Sequence, residues 1–138
     1  MEITANQIQL VAVGQNVLFT DTPVCGNCNI MHREGSGIVT LRAPERQNAR
    51  FRVSYSGNIA VPTGQTVGAI SLAIAVEGEP LLSTQMIVTP AAVEEYFNVS
   101  SQVEVQVPCG CCVTVSVENT STIPVNAQNS NLIVTRVC

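Results

Sequence analysis

VEVQVPCGCCVTVSVEN, residues 103–119, is the stretch whose reading decides the fold. Val103, Val105 and Val107 alternate with Glu104 and Gln106, and Val113, Val115 and Val117 alternate with Thr114 and Ser116. A side-chain period of two marks a half-buried β-strand. Between the two runs lies Pro108-Cys109-Gly110-Cys111-Cys112, a turn signal that carries three of the six cysteines within four residues.

Working outward, the same period recurs on both sides. Residues 51–60 set Phe51, Val53 and Tyr55 against Arg52, Ser54 and Ser56, the pattern of another half-buried strand. Residues 67–76 put Ile70, Leu72, Ile74 and Val76 on one face and Ala69, Ser71, Ala73 and Ala75 on the other. A face of such small residues permits close packing against a second layer. Shorter strands are predicted at 8–13, 17–19, 30–32, 38–41, 81–88 and 132–137, with turns at Pro62-Thr63-Gly64-Gln65 and Glu77-Gly78-Glu79-Pro80. Residues 21–29 are expected to be a loop. The one helix-like patch is 89–96, where Thr89 can cap and Pro90 can open a turn or two. About nine strands, with 21 Val and 10 Ile, predict an all-β protein, an antiparallel sandwich or jelly roll. No repeat or linker divides it, so residues 1–138 are expected to form a single domain.

Composition bounds what such a domain does. Charged residues are 12% of the chain, about half the usual share, while Asn, Gln, Ser and Thr together number 42. Faces of that kind are weakly protected by charge against close self-association. A formal net charge of −4 argues against a nucleic-acid partner, which calls for a basic patch. Arg42, Arg46, Arg50 and Arg52 cluster, but with Glu34 and Glu45 nearby they read as an ion-pair face. All six basic residues are arginine, for which we have no physical account. No segment has the length and apolarity of a membrane span. The N-terminal MEITANQIQL lacks the basic and apolar regions of a signal peptide, so synthesis without export is expected.

The cysteines are the main candidates for chemistry. Cys25-x-x-Cys28 and Cys109-x-x-Cys112 are two pairs with zinc-ligand spacing, though about 80 residues separate them. Disulfides within or between subunits, a structural zinc site and inert buried thiols are all open for Cys25, Cys28, Cys109, Cys111, Cys112 and terminal Cys138. No helix begins at either pair to activate a thiol, which disfavours a redox enzyme. His32 is the only histidine, so His-pair metal sites and hydrolase triads have little to build on; a Cys112–His32 pair is the one nucleophile arrangement left. Glu94 and Glu95 are adjacent and point apart, Gly35-Ser36-Gly37 lacks the lysine of a phosphate loop, and the aromatics are too scattered for a sugar-stacking platform. The sequons at Asn98 and Asn119 read as chance without a secretory signal.

With the strands placed, a likeness emerges. The run Ile30-Met31-His32-Arg33-Glu34-Gly35-Ser36-Gly37-Ile38-Val39-Thr40-Leu41, followed by Phe51-Arg52-Val53-Ser54-Tyr55, resembles a motif of the complement globular-head and tumour-necrosis-factor-like superfamily. Ala12-Val13-Gly14-Gln15-Asn16-Val17-Leu18-Phe19 is similar to that superfamily's opening segment, and Val125-Asn126-Ala127-Gln128-Asn129-Ser130-Asn131-Leu132-Ile133-Val134-Thr135-Arg136-Val137 to its last strand. In style the chain is similar to the C-terminal domains of bacterial collagen-like exosporium proteins and to phage decoration or fibre-head proteins. The resemblance implies a jelly roll of about ten strands that forms a tight trimer, with first and last strands side by side in the inner sheet. There is no Gly-X-Y stem, and the cysteine loops are not a general feature of the superfamily, so no role transfers to them.

The expectation is therefore a non-enzymatic structural protein without a cofactor, a self-assembling homotrimer displayed on a particle surface. A bacteriophage virion, as capsid decoration or fibre head, comes first. A bacterial spore-surface or appendage subunit cross-linked through cysteines comes next. A small receptor- or carbohydrate-binding module is the reading from another class.

Overall fold

The structure, a computed structural model, describes residues 1–26 and 28–137. The alternating stretch that begins at Ala49 becomes a 12-residue strand paired along both edges. In chain order the strands are β1 (Glu2–Ala5), β2 (Gln9–Val11), β3 (Asp21–Val24), β4 (Ile30–His32), β5 (Val39–Arg42), β6 (Ala49–Ala60), β7 (Ile70–Val76), β8 (Glu79–Pro80), β9 (Met86–Val88), β10 (Phe97–Val107), β11 (Cys112–Asn119) and β12 (Val125–Arg136). One sheet runs β10-β6-β12-β1-β3, with β2 also on β12; the other runs β4-β5-β11-β7-β8, with β9 also on β7. All pairs are antiparallel. Among the described residues no helix is long and apolar enough to cross a membrane.

Two sheets are needed because each presents one apolar face. Phe51, Val53, Tyr55 and Ile59 of β6 are fully buried, while Arg50 and Arg52 on either side of Phe51 are exposed. Together with Phe19, Leu41, Leu72, Ile74, Val117 and Leu132 they fill the space between the sheets. Each such side chain contributes about 1.5–3 kcal/mol relative to exposure. Tyr55 packs edge-on against Phe19 at 6.4 Å between ring centroids. β7 is buried on both faces, Ala73 and Ala75 included, as its row of small residues anticipates.

The predicted jelly roll is found: β1 lies against β12, with Glu2 opposite Ile133 and Ala5 opposite Ser130. Several local expectations are corrected. Residues 21–24, expected in a loop, form β3, an edge strand on β1. An edge tolerates Pro23, which cannot donate to a ladder, and its mostly exposed side chains leave no apolar period to read. Residues 17–19 are not a regular strand; an isolated bridge joins Asn16 to Glu118, and the N–H of Val17 donates to the Val117 carbonyl at 2.8 Å. The predicted strand over 81–88 is divided by a 3-10 turn at Leu82–Thr84. Buried Thr84 explains it, because its hydroxyl accepts from the Ile74 N–H at 2.9 Å and reaches the Leu81 carbonyl at 2.7 Å, standing in for a ladder partner.

The helix-like patch at 89–96 is not helical. Glu94 sits at φ 57°, in the left-handed region, and its N–H donates to the Val61 carbonyl at 2.8 Å. A tertiary tether has overridden a local capping signal. Finally, the two runs of 103–119 do not pair with each other. β10 lies along β6 in the first sheet and β11 between β5 and β7 in the second, so the cysteine turn crosses between sheets.

Candidate functional site

Antiparallel order sends alternate connections to opposite ends of the sandwich. The 25–29, 43–48 and 108–111 connections follow β3, β5 and β10 and lie at one end. Met1 and Val137 are there too: the Met1 amine donates to the Val134 carbonyl at 2.8 Å, and the Val137 N–H donates to the Arg50 carbonyl at 2.8 Å. Cys25, Cys28, Cys109, Cys111 and Cys112 are therefore all at this thiol end, each exposed and free. Exposure rules out the inert buried thiol for these five. Cys138 lies outside the described residues.

Local chemistry fixes the turn. Gly110 at φ 73° and the Cys111 N–H donating to the Pro108 carbonyl at 3.1 Å make a type II turn, whose third position favours glycine. The turn is lashed to the neighbouring connection: Gly110 N–H to the Pro44 carbonyl at 2.8 Å, Ala43 N–H to the Cys111 carbonyl at 3.1 Å, and Cys109 N–H to Asn48 Oδ1 at 2.9 Å. On the other side, the Arg42 N–H donates to the Asn29 carbonyl at 2.8 Å. Asn29, Arg42 and Cys112 thus form one row across three strands, with β5 in the middle.

That row decides what the cysteines can do within one chain. Two strand spacings put the backbones beside Cys28 and at Cys112 about 10 Å apart. A disulfide needs Cα atoms within about 7 Å, and sulfurs on one zinc ion sit about 4 Å from each other. Among the described residues no group of three or more His, Cys, Asp or Glu side chains is placed to hold a metal ion. The fold brings the two Cys pairs to one end without closing them on each other. Beside Cys25, a shallow open groove is lined by Met1, Gly26, Ile30 and Val134–Arg136, and a side chain on Gly26 would stand 3.0 Å from the Met1 Cε.

The remaining candidates are structural. His32 pairs with Val39 and Cys112 with Arg42, so the two are separated along β5 as well as across it, and no Cys–His pair forms. His32 Nε2 donates to the Ser36 carbonyl at 2.9 Å, while Nδ1 is buried with no hydrogen-bond partner among the described residues. Arg50 and Arg52 pair with Glu104 at 3.2 and 3.0 Å, rather than with Glu34 or Glu45. Both pairs are half exposed and worth at most about 1 kcal/mol. Asn119 is only 1% exposed; its amide donates to the Val11 and Ile123 carbonyls at 3.0 and 3.1 Å, and its Oδ1 accepts from the Ser121 N–H and hydroxyl. That sequon is a buried brace.

Sequence reading missed the role of Glu94. At the end opposite the thiols its Oε1 accepts from the Thr63 N–H and hydroxyl, both at 3.1 Å, and from Asn126 Nδ2 at 3.0 Å; Oε2 accepts from Tyr96 at 3.2 Å. The Thr63 N–H above all holds the Glu94 carboxyl below its ordinary 4.5, and partial desolvation with the Glu94 charge pushes the Tyr96 hydroxyl up. The only sequence signal was a pair of adjacent glutamates in the helix-like patch.

The outward face of the first sheet is the other candidate surface. Thr4, Asn131, Ser56 and Ser100 form one row across β1, β12, β6 and β10, and Ile133, Ser54 and Gln102 form the next. Apart from the Glu104 cluster, Glu2 and Asp21, this face carries no charge.

No protein-family model matches the chain, and no curated protein matches it. Solved structures do. The globular domain of zebrafish complement 1qA protein superimposes with a TM-score of 0.59 at 15% identity, over 96% of this chain and 93% of that one. The fold is that of a complement globular head. The C-terminal domain of EclA, a sugar-binding protein, aligns at a TM-score of 0.39 with 12% identity over 78% of this chain and 84% of that one. The CBM35 of Cellvibrio japonicus Abf62 aligns at 0.37 with 11% identity over 98% and 96%. At those scores neither bears on ligand or mechanism.

Proposed function

We propose that this chain is a non-enzymatic structural protein, a jelly-roll homotrimer displayed on a particle surface, with a bacteriophage virion (capsid decoration or fibre head) as its setting. The observation that carries the reading is the outward face of the β10-β6-β12-β1-β3 sheet. Its Ser, Thr, Asn and Gln rows cost far less to desolvate than charges do, and they retain hydrogen-bonding capacity toward a neighbouring subunit. The complement-head fold and the low charge of the chain both agree with it.

Light scattering on the full chain under reducing conditions tests the assembly. Three chain masses at micromolar concentration are expected. Ser56→Arg, in the middle of the face and outside the core, is expected to give a folded monomer, because three guanidinium groups would be buried near one another. A monomeric parent chain would sink the trimer. Mass-spectrometric inventory of purified particles from the source tests the setting. Specific glycan binding at micromolar affinity would instead promote the recognition-module reading.

A further inference from the structure

We propose that the thiol end is a covalent junction between copies of this chain, in which disulfides join the 25–28 loop of one copy to the 109–112 turn of another. The proposal deepens the self-assembly reading and rests on it for the identity of the partner.

Four observations lead there. Five cysteines that are exposed and free share one end of the molecule, in two clusters. Strand β5, with Arg42 between Asn29 and Cys112, holds the clusters two strand spacings apart. Three hydrogen bonds fix the 109–112 turn to the 43–48 connection, so the turn does not swing across β5. And among the described residues no metal-holding group draws the thiols inward. The loop-to-turn bridge that the spacing across β5 denies to one chain is open to two. When the ends of two copies from different trimers meet about a twofold axis perpendicular to the line joining the clusters, the 25–28 loop of each faces the 109–112 turn of the other. Charge does not oppose the contact: Arg42 and Arg46 share the end with Glu45, Glu77 and Glu79, so a second copy supplies opposite signs.

The chemistry is thiol–disulfide exchange with a small-molecule disulfide such as glutathione disulfide as oxidant. A cysteine thiolate of one copy attacks a sulfur of the oxidant, forming a mixed disulfide and releasing one glutathione thiolate. A thiolate of the second copy attacks the protein-side sulfur, forming the interchain S–S bond and releasing the second. Two cysteine thiols lose two protons and two electrons, and one small disulfide becomes two thiols.

The test uses the full chain carrying Cys138→Ser, so that the terminal thiol does not contribute. One variant adds Cys25→Ser and Cys28→Ser; the other adds Cys109→Ser, Cys111→Ser and Cys112→Ser. Each is reduced, desalted, treated with glutathione disulfide and run on non-reducing electrophoresis, alone and as an equal mixture. Neither variant alone is expected to cross-link. The mixture is expected to give a species of twice the chain mass, at least tenfold more abundant than in either sample alone and lost on adding dithiothreitol. Peptide mapping should join a 25–28 peptide to a 109–112 peptide. Equal cross-linking by one variant alone, oxidation confined to Cys25–Cys28 or to the 109–112 turn, or no cross-link in the mixture would each overturn the proposal. If a variant fails to match the parent's circular dichroism and melting temperature, peptide mapping of the oxidised Cys138→Ser chain decides the same question. Light scattering of the reduced parent, run in parallel, reports separately on non-covalent assembly. A trimer without mixed-variant cross-links sinks only the junction.

Discussion

Gly57→Ala should be among the most damaging single-methyl additions in this protein, and the reason is one hydroxyl. Gly57 lies on the inward face of β6, two residues after Tyr55, and its φ is not in the left-handed region. Its backbone alone would accept alanine, with a gain of about 0.4–1 kcal/mol from the stiffer unfolded chain. A Cβ there, however, would stand 2.6 Å from the Tyr55 hydroxyl, 3.1 Å from its Cζ and 3.4 Å from the Ser130 Cα. Tyr55 has nowhere to go: it is fully buried against Phe19, and its hydroxyl is 3.0 Å from the Oγ of buried Ser130. Overpacking costs about 1–3 kcal/mol, and losing the hydroxyl pair about 1 kcal/mol more. The net expectation is a loss of about 2 kcal/mol, read as a lower urea midpoint at unchanged slope. Tyr55→Phe alone should cost about 1 kcal/mol, since it leaves Ser130 unpaired. Combined, the two should cost at least about 1 kcal/mol less than their sum, because removing the hydroxyl also removes the 2.6 Å contact. Additive losses, or a Gly57→Ala protein as stable as the parent, would refute the close-approach explanation.

Two pH dependences follow from the same residues and from the opposite end of the sandwich. Burial pushes the Tyr55 hydroxyl up to about 12 from an ordinary 10, so the folded state prefers the neutral phenol; its contribution is complete below pH 10 and is lost as pH rises toward 12. A shift of that size corresponds to a fall of about 3 kcal/mol relative to Tyr55→Phe over that window. Chemical denaturation of the two proteins at stepped alkaline pH should reveal it, and parallel curves would contradict it. Glu94 runs the other way. Its depressed carboxyl contributes stability above about 4.5 that disappears as pH falls through the lower folded value. Glu94→Gln should therefore melt below the parent at pH 7 and converge on it in acid; a constant gap from pH 7 to 3 would show that the carboxylate charge is not what the Thr63 N–H holds.

How much of this was legible in the sequence depends on whether a signal was local. The period in 51–60 and 103–107 correctly gave inward and outward faces, because burial on one side of a sheet writes itself into every second residue. The adjacency of first and last strands came from the family likeness, not from any pattern within those strands. β3 escaped because Asp21, Val24 and the intervening Pro23 sit at an exposed edge, where nothing selects an apolar period. Thr89 and Pro90 offered a helix start, but the Val61 carbonyl, Thr63 and Asn126 capture Glu94 from parts of the chain that no local window sees. The same applies to Thr84, whose hydroxyl replaces a strand partner. As for the cysteines, their shared end is a matter of strand parity. Without β3, the count that sends 25–29 and 108–111 to the same side cannot be completed.

The two ends of the sandwich divide their tasks, and this bears on what the thiols are free to do. Opposite the thiols, Glu94 binds Thr63, Tyr96 and Asn126, while buried Asn119 ties β11 to β2 and to the 120–124 connection. Those side-chain bonds close connections that would otherwise fray, so the 61–69, 89–96 and 120–124 segments are held by the core's own chain. At the thiol end, the 109–112 turn is closed by backbone bonds within itself and to its neighbour, together with the Asn48 side chain. None of the five cysteines there fills the core, since all are exposed. Replacing or oxidising them therefore leaves untouched the apolar burial that dominates stability. An end whose reactive groups carry no folding task can be altered by redox chemistry without unfolding the subunit. That separation is what a junction between copies requires, and it makes serine substitution a clean test of the thiols themselves.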